Sequence, residues 1–184
     1  MKKIIIMLAA AIALAGCGSQ KNVTEVAVVP AVDTVVTHKP VTYEVTPHPD
    51  VITIAEGMEL LSNPDKSKEI ASKRGYKAVG KYAVYRLDNY EMMMFKNCKL
   101  PKKLGEGIYE DTPKPLVKGT SSYVALNGNV LIAVFNKVAF QNLVEQVKGL
   151  GFSLVEQGYE DKYTLGSTAI YVYEARKSLR IERE

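Results

Sequence analysis

The helical period is clearest in VAFQNLVEQVKGL, Val138 to Leu150, where Phe140, Leu143, Val144, Val147 and Leu150 recur at three-and-four spacing. The pattern predicts an amphipathic helix with Asn136 as N-cap and Gly149 or Gly151 as C-cap. Just before it, the unbroken apolar run NVLIAVF, Asn129 to Phe135, has the length and composition of a central strand. SSYVAL precedes that run and ends in Asn127-Gly128. Both of those residues tolerate positive φ, so the pair marks a hairpin. After the helix, FSLVEQ and TAIYVYEA read as two strands of an antiparallel hairpin, joined by the polar link GYEDKYTLGS.

The earlier half echoes this plan. VITI, Val51 to Ile54, reads as a strand, and Asn63-Pro64 opens a helix to Arg74 with proline at its favoured first position. Few positions of that helix are apolar beyond Ile70 and Ala71. GYKAV then answers GFSLV, since Gly75-Tyr76 and Val79 match Gly151-Phe152 and Val155 at the same offsets. KYAVYRL and EMMMFKN follow as a hairpin about Asp88-Asn89. Each half thus reads strand, helix, strand, strand. Alternation puts Met92 and Met94 on one face and Met93 on the other, as core packing requires. Between the halves, CKLPKKLGEGIYEDTPKPLVKG holds Pro101, Pro113 and Pro115 and reads as a linker.

The expected fold class is α+β, an antiparallel sheet with one or two helices on one face, with a tandem β-α-β-β repeat as an option. The organisation is a first unit over residues 51–98, a long loop over 99–118, a second unit over 119–177 and a charged tail over 178–184. Residues 17–50 differ from all of these. They carry Pro30, Pro40, Pro47 and Pro49 among many valines, without a helical period, and read as an extended tether reaching on the order of 100 Å. The β-branched stretch AVVPAVDTVV also has the composition to join its own sheet or a partner's edge as a strand.

Residues 1–16 stand apart again. Lys2 and Lys3 precede an apolar run from Ile4 to Ala15. As a helix those residues span about 18 Å, too short for a hydrocarbon core roughly 30 Å thick. A basic flank, a short apolar core and small residues together have the form of a secretory signal. Leu14, Ala15 and Gly16 before Cys17 resemble the lipobox of bacterial lipoproteins. That resemblance implies diacylglyceryl attachment to the Cys17 thiol, cleavage before Cys17, and palmitate or another acyl chain on the new amine. Two or more chains anchor stably where one does not. With Gly18 rather than Asp following, the resemblance implies a lipid anchor in the cell envelope, at the outer membrane facing the periplasm or the outside.

Composition narrows the function. Removing Lys2 and Lys3 leaves 22 basic against 20 acidic side chains, too near neutral to argue for nucleic acid. Beyond Cys17 the sole cysteine is Cys98, so the mature chain has no intrachain disulfide, and a lone thiol there reads as buried and inert. His38 and His48 lie beside prolines, with Asp50 as the one further donor nearby, and read as solvated rather than metal-ligating. No histidine follows Val51, which excludes a histidine base in the folded part. Glu156, Glu160 and Asp161 near one hairpin keep a carboxylate hydrolase open only as a third reading.

The leading expectation is a non-enzymatic module without cofactor or metal. It would bind an envelope protein partner through a sheet edge or a face built from Tyr163, Tyr171 and Tyr173. The alternative is a lipoprotein that binds cell-wall or other glycan, using those tyrosines and the lysines Lys96, Lys99, Lys102 and Lys103.

Overall fold

The computed structural model describes residues 41–84, 88–105, 108–109 and 113–184. Residues 1–40, with the expected signal segment, Cys17, AVVPAVDTVV and His38 and so most of the expected tether, lie outside the described residues. The class is α+β. Among the described residues three α-helices, α1 (Ile54–Ser62), α2 (Ser67–Arg74) and α3 (Lys137–Gly149), accompany an antiparallel sheet. In chain order its strands are β1 (Lys77–Val84), β2 (Asp88–Lys96), β7 (Ser122–Leu126), β8 (Val130–Val134), β9 (Ser153–Glu156), β10 (Asp161–Leu165), β11 (Thr168–Tyr173) and β12 (Ser178–Arg183). Two small ribbons complete the strands: β3 (Cys98–Lys99) with β6 (Lys114–Pro115), and β4 (Lys103–Gly105) with β5 (Ile108–Tyr109).

The eight strands lie in the order β1-β2-β7-β8-β12-β11-β10-β9. Two four-stranded meanders therefore meet last strand to last strand, where Leu179 lies opposite Ile132. Strand alternation sorts the side chains into two faces. Met94, Val124, Ile132, Leu179 and Val172 fall in one register row, and each is buried beneath the helices. Ile54 and Leu60 of α1, Ile70 and Ala71 of α2, and Phe140, Leu143 and Val147 of α3 close that core from above. Met93 points the other way, with Ala125, into a second cluster with Leu100 and Leu131. The methionine triplet thus packs on both sides of its strand, as alternation demands.

Helix α1 stands where no helix was expected. VITI is not a strand, because Thr53-x-x-Glu56 is a capping box: Thr53 Oγ1 accepts from the Glu56 amide at 3.1 Å, and the Glu56 carboxylate accepts from the Thr53 amide at 3.0 Å. Val51 and Ile52 ahead of the cap are buried plugs. Gly57 lets α1 settle on the sheet, since a Cβ there would come within 2.7 Å of Ile181 Cδ1. The expected helix from Pro64 to Arg74 divides into a 3-10 turn, Pro64–Lys66, and α2.

Three further expectations change. The polar link after FSLVEQ contains β10, so β9 and β11 do not form a hairpin; each pairs with β10. Residues 178–184 are not a tail, because β12 is a central strand whose Leu179 and Ile181 are fully buried. Its alternation with Arg180 and Glu182 is masked in the sequence by the charges around it. Asp88 and Asn89 belong to β2, with Asp88 opposite Val84, so they are not the turn of the hairpin; residues 85–87 lie outside the described residues. Asn127-Gly128 does turn the chain between β7 and β8, with Gly128 at φ 66°.

The two helix-to-strand junctions share one geometry. Gly75 and Gly151 both have positive φ. The Tyr76 amide donates to Ala71 O and the Phe152 amide to Val147 O, and the glycine amides donate to Ser72 O and Lys148 O. A buried aromatic follows each glycine, and a strand follows each aromatic.

Candidate functional site

Helix α3 carries a set of polar side chains that bond to backbone elsewhere in the chain. Asn136 caps it as expected, its side chain accepting from the Val138 amide at 2.9 Å, and Gly151 turns the chain out with φ 87°. Gln146 lies on the buried side beside Leu143 and Val147, so its amide needs partners. It donates to Asn142 Oδ1 at 2.8 Å and accepts from the Ile54 amide at 3.0 Å. Asn142, one turn earlier, clamps a second segment. Its Nδ2 donates to Thr46 O at 2.9 Å, and its Oδ1 accepts from the His48 amide at 2.8 Å.

That second segment is the end of the expected tether. Residues 43–48 run along α3 as an extended strap rather than as free spacer. The Tyr43 amide donates to Gly149 O at 3.0 Å, and the Tyr43 hydroxyl to Glu145 at 3.0 Å. The hydrogen bonds from Lys148 and Tyr43 hold the Glu145 carboxyl below its ordinary range. Gly149 is required by this close approach, because a Cβ there would lie 2.7 Å from Tyr43 O and 2.9 Å from Val45 Cγ2. Beneath the strap lies a cavity of about 240 Å³ lined by Val45, Pro47, Ala55 and Leu150 among others. The Asp50 amide donates to His48 Nδ1 at 3.3 Å, so this histidine takes part in a local turn. Among the described residues no group of three or more metal-ligating side chains converges.

The other flank of α3 forms an open groove of about 270 Å³ against β10 and β11. Phe140, Val144, Tyr163 and Val172 supply its apolar side, while Gln141, Lys148, Asp161, Glu174 and Glu145, which also takes the Tyr43 hydroxyl, are polar. Leu154 and Val155 on β9 and Leu165 on β10 are exposed apolar side chains at the same end of the sheet.

The tyrosine face is rearranged. Tyr163 lies opposite Ile170 on the helix side and is buried, whereas Tyr171 and Tyr173 point to the opposite face. Pairing parity separates them, and proximity in sequence did not reveal it. On the outer face Tyr173 joins Tyr159 instead, with ring centroids 4.6 Å apart and a hydroxyl–hydroxyl hydrogen bond that raises the Tyr173 pKa. Tyr171 carries the Arg180 guanidinium 4.2 Å above its ring. Arg180 in turn pairs with Glu160 at 2.9 Å and Glu182 at 2.6 Å. These charges satisfy one another. Glu160 is thereby an ion-pair partner, and Asp161 lies on the helix-side row with Val172.

Both sheet edges are blunted. On β1, Lys77 and Lys81 are exposed and Lys81 has φ 53°. On β9, Leu154 and Glu156 lie opposite the consecutive residues Tyr163 and Lys162, so Val155 bulges out of register. Lysines, distortion, bulges and shortness are the devices that discourage strand addition. Of the lysine cluster, Lys96 is structural, bonding Asp50 Oδ1 at 3.1 Å and Arg74 O at 3.2 Å. Cys98 is buried with its thiol directed at Ser122 O, and burial pushes its pKa up to about 11.

The strap contacts went unseen in the sequence, although one signal was present: Asn142 and Gln146 stand one turn apart at the margin of the apolar stripe. Among the described residues no helix is long and apolar enough to cross a membrane. Comparison of the chain with protein-family models, with curated proteins and with solved structures finds no match.

Proposed function

We propose that this protein is a membrane-anchored envelope lipoprotein whose folded domain binds a protein partner without catalysis. The lipid anchor rests on the Leu14-Ala15-Gly16-Cys17 resemblance. The observation that carries the binding role is the groove beside α3, with exposed Leu154, Val155 and Leu165 at the adjoining sheet end. The blunted edges turn this reading away from strand addition and toward the groove. A glycan reading has one observation in its favour, the exposed Tyr159–Tyr173 pair on the opposite face.

Photo-crosslinking residues placed singly at Gln141, Tyr173 and remote Lys68 separate these readings in intact cells. A discrete protein adduct at Gln141 and not at Lys68 supports the partner reading. Adducts of cell-wall material at Tyr173 alone replace it with the glycan reading.

We also infer that the body arose by duplication of one unit, a helix followed by four antiparallel strands. The inference is supported by the matching junction hydrogen bonds, which recur 76 positions apart, and by the mirrored strand order. The unit so defined differs from the expected β-α-β-β, because VITI caps a helix. The long insertion between β2 and β7 is then the chief departure of one half from the other.

A further inference from the structure

We propose that the groove beside α3 receives an arginine side chain of the protein partner, its guanidinium held by Tyr163, Asp161 and Glu174 and its stem lying on Phe140, Val144 and Val172. This rests on the partner reading of that groove and names the chemistry of what enters it.

The Tyr163 side chain is buried, with 7 % of the residue exposed, yet its hydroxyl has no hydrogen-bond partner among the described residues. No described side-chain oxygen or nitrogen is both fully buried and unpartnered, so this hydroxyl reaches solvent, and the opening that Tyr163 lines is the groove. Burial raises its pKa, which keeps the hydroxyl neutral with lone pairs to offer. Buried tyrosines usually bond their hydroxyl within the protein, so one left open in a groove is placed for a donor from outside.

The surrounding charge selects a cationic donor. Asp161 lies two residues before Tyr163 on the same side of β10, opposite Val172, and Glu174 lies two residues beyond Val172. Among the described residues the Asp161 carboxylate accepts only from the Gly158 amide, at 3.4 Å, and neither carboxylate has a cation paired to it. The cations nearby are committed elsewhere: Lys148 to Glu145 at 2.8 Å, Arg180 to Glu160 and Glu182, Lys162 to Glu184, and Arg176 over the Tyr173 ring. Two carboxylates and a hydroxyl beside apolar walls suit arginine. Its planar fork bonds several acceptors at once, its guanidinium is less strongly hydrated than an ammonium, and its stem covers apolar surface. Exposed Leu154, opposite Tyr163 on β9, continues the apolar surface for a neighbouring residue of the partner.

The test follows the adduct of a photo-crosslinking residue at Gln141 in full-length chains in intact cells. Mass spectrometry should place an arginine of the partner beside the crosslinked site. Tyr163→Phe, which removes only the hydroxyl, should lower the adduct yield, and Asp161→Asn with Glu174→Gln should lower it about tenfold, with the circular dichroism of the parent kept. Lys148→Gln should raise the yield, because it frees Glu145 and removes the one cation lining the groove. Replacing the identified arginine of the partner with glutamine, which leaves this chain untouched, should also lower the yield about tenfold. An adduct without an arginine at its site, or one whose yield the carboxylate pair leaves unchanged or Lys148→Gln lowers as much as that pair does, overturns the arginine and leaves the partner reading standing. Absence of any protein adduct at Gln141 in the parent overturns both.

Discussion

Glu56 offers the most direct test of how this body is held together. Its carboxylate accepts from the Thr53 amide and from Arg74 Nε, the latter at 2.8 and 2.9 Å to its two oxygens. It therefore ties the start of α1 to the end of α2. Desolvation pushes the Glu56 pKa up, but the hydrogen bonds from Arg74 and Thr53 outweigh it and hold the group below its ordinary value. Glu56→Ala removes a cap contact of about 1 kcal/mol and a charged hydrogen bond of about 1.5–3 kcal/mol. The expected loss is about 2–4 kcal/mol, since Arg74 keeps some solvent contact with which to recover. For a body of this size each kcal/mol lowers Tm by about 2–4 °C, so a drop near 10 °C is expected. Glu56→Gln keeps an acceptor for Thr53 and loses the charge, at about half that cost.

The pH dependence has a definite sign. A carboxyl depressed in the folded state stabilises fully above its unfolded value, about 4.3, and loses that contribution as pH falls through the folded value. Urea unfolding followed by circular dichroism should therefore show the gap between parent and Glu56→Gln at pH 6 and its narrowing below pH 4. A gap under about 0.5 kcal/mol at pH 6 would mean that the carboxylate adds no more than a surface ion pair does. A gap that stays constant with pH would rule out the charge as its source.

Other expectations follow from single features. A chain ending at Lys177 should fail to fold, because it loses the central strand with buried Leu179 and Ile181; cooperative unfolding of that truncation would restore the reading of a dispensable tail. The Cys98 thiol, with its pKa pushed up to about 11, should resist iodoacetamide at pH 8 in the native chain and react fully in denaturant; rapid native labelling would contradict its burial. Cys17→Ala should leave an unprocessed precursor and lose the acyl label, and a membrane-bound product of unchanged size would refute the lipobox argument. Leu143→Ala should cost about 2–5 kcal/mol in urea unfolding, as for other fully buried leucines, whereas an exposed site would change little.

The sequence by itself determined those elements whose apolar pattern is long enough to have a period or flanked by clear signals. α3 and its Asn136 cap, the run that became β8, the Asn-Gly turn, the burial of Cys98 and the opposite facing of Met93 all belong here. Each depends on neighbours within a few residues, and local sterics act at that range. Tertiary structure decided the remainder. β12 looks like a charged tail until β8 and β11 pair on its two sides. VITI is the exception: it looks like a strand by composition, but the Thr53-x-x-Glu56 capping box that makes it a helix start is itself a local signal, to which Arg74, eighteen residues later, adds a tertiary contact. Tyr163 looks like a companion of Tyr171 until the register of β10 against β11 turns it to the other face. The strap was invisible for the same reason: its partners, Asn142, Glu145 and Gly149, lie about a hundred residues away, and no local period records a contact across that separation.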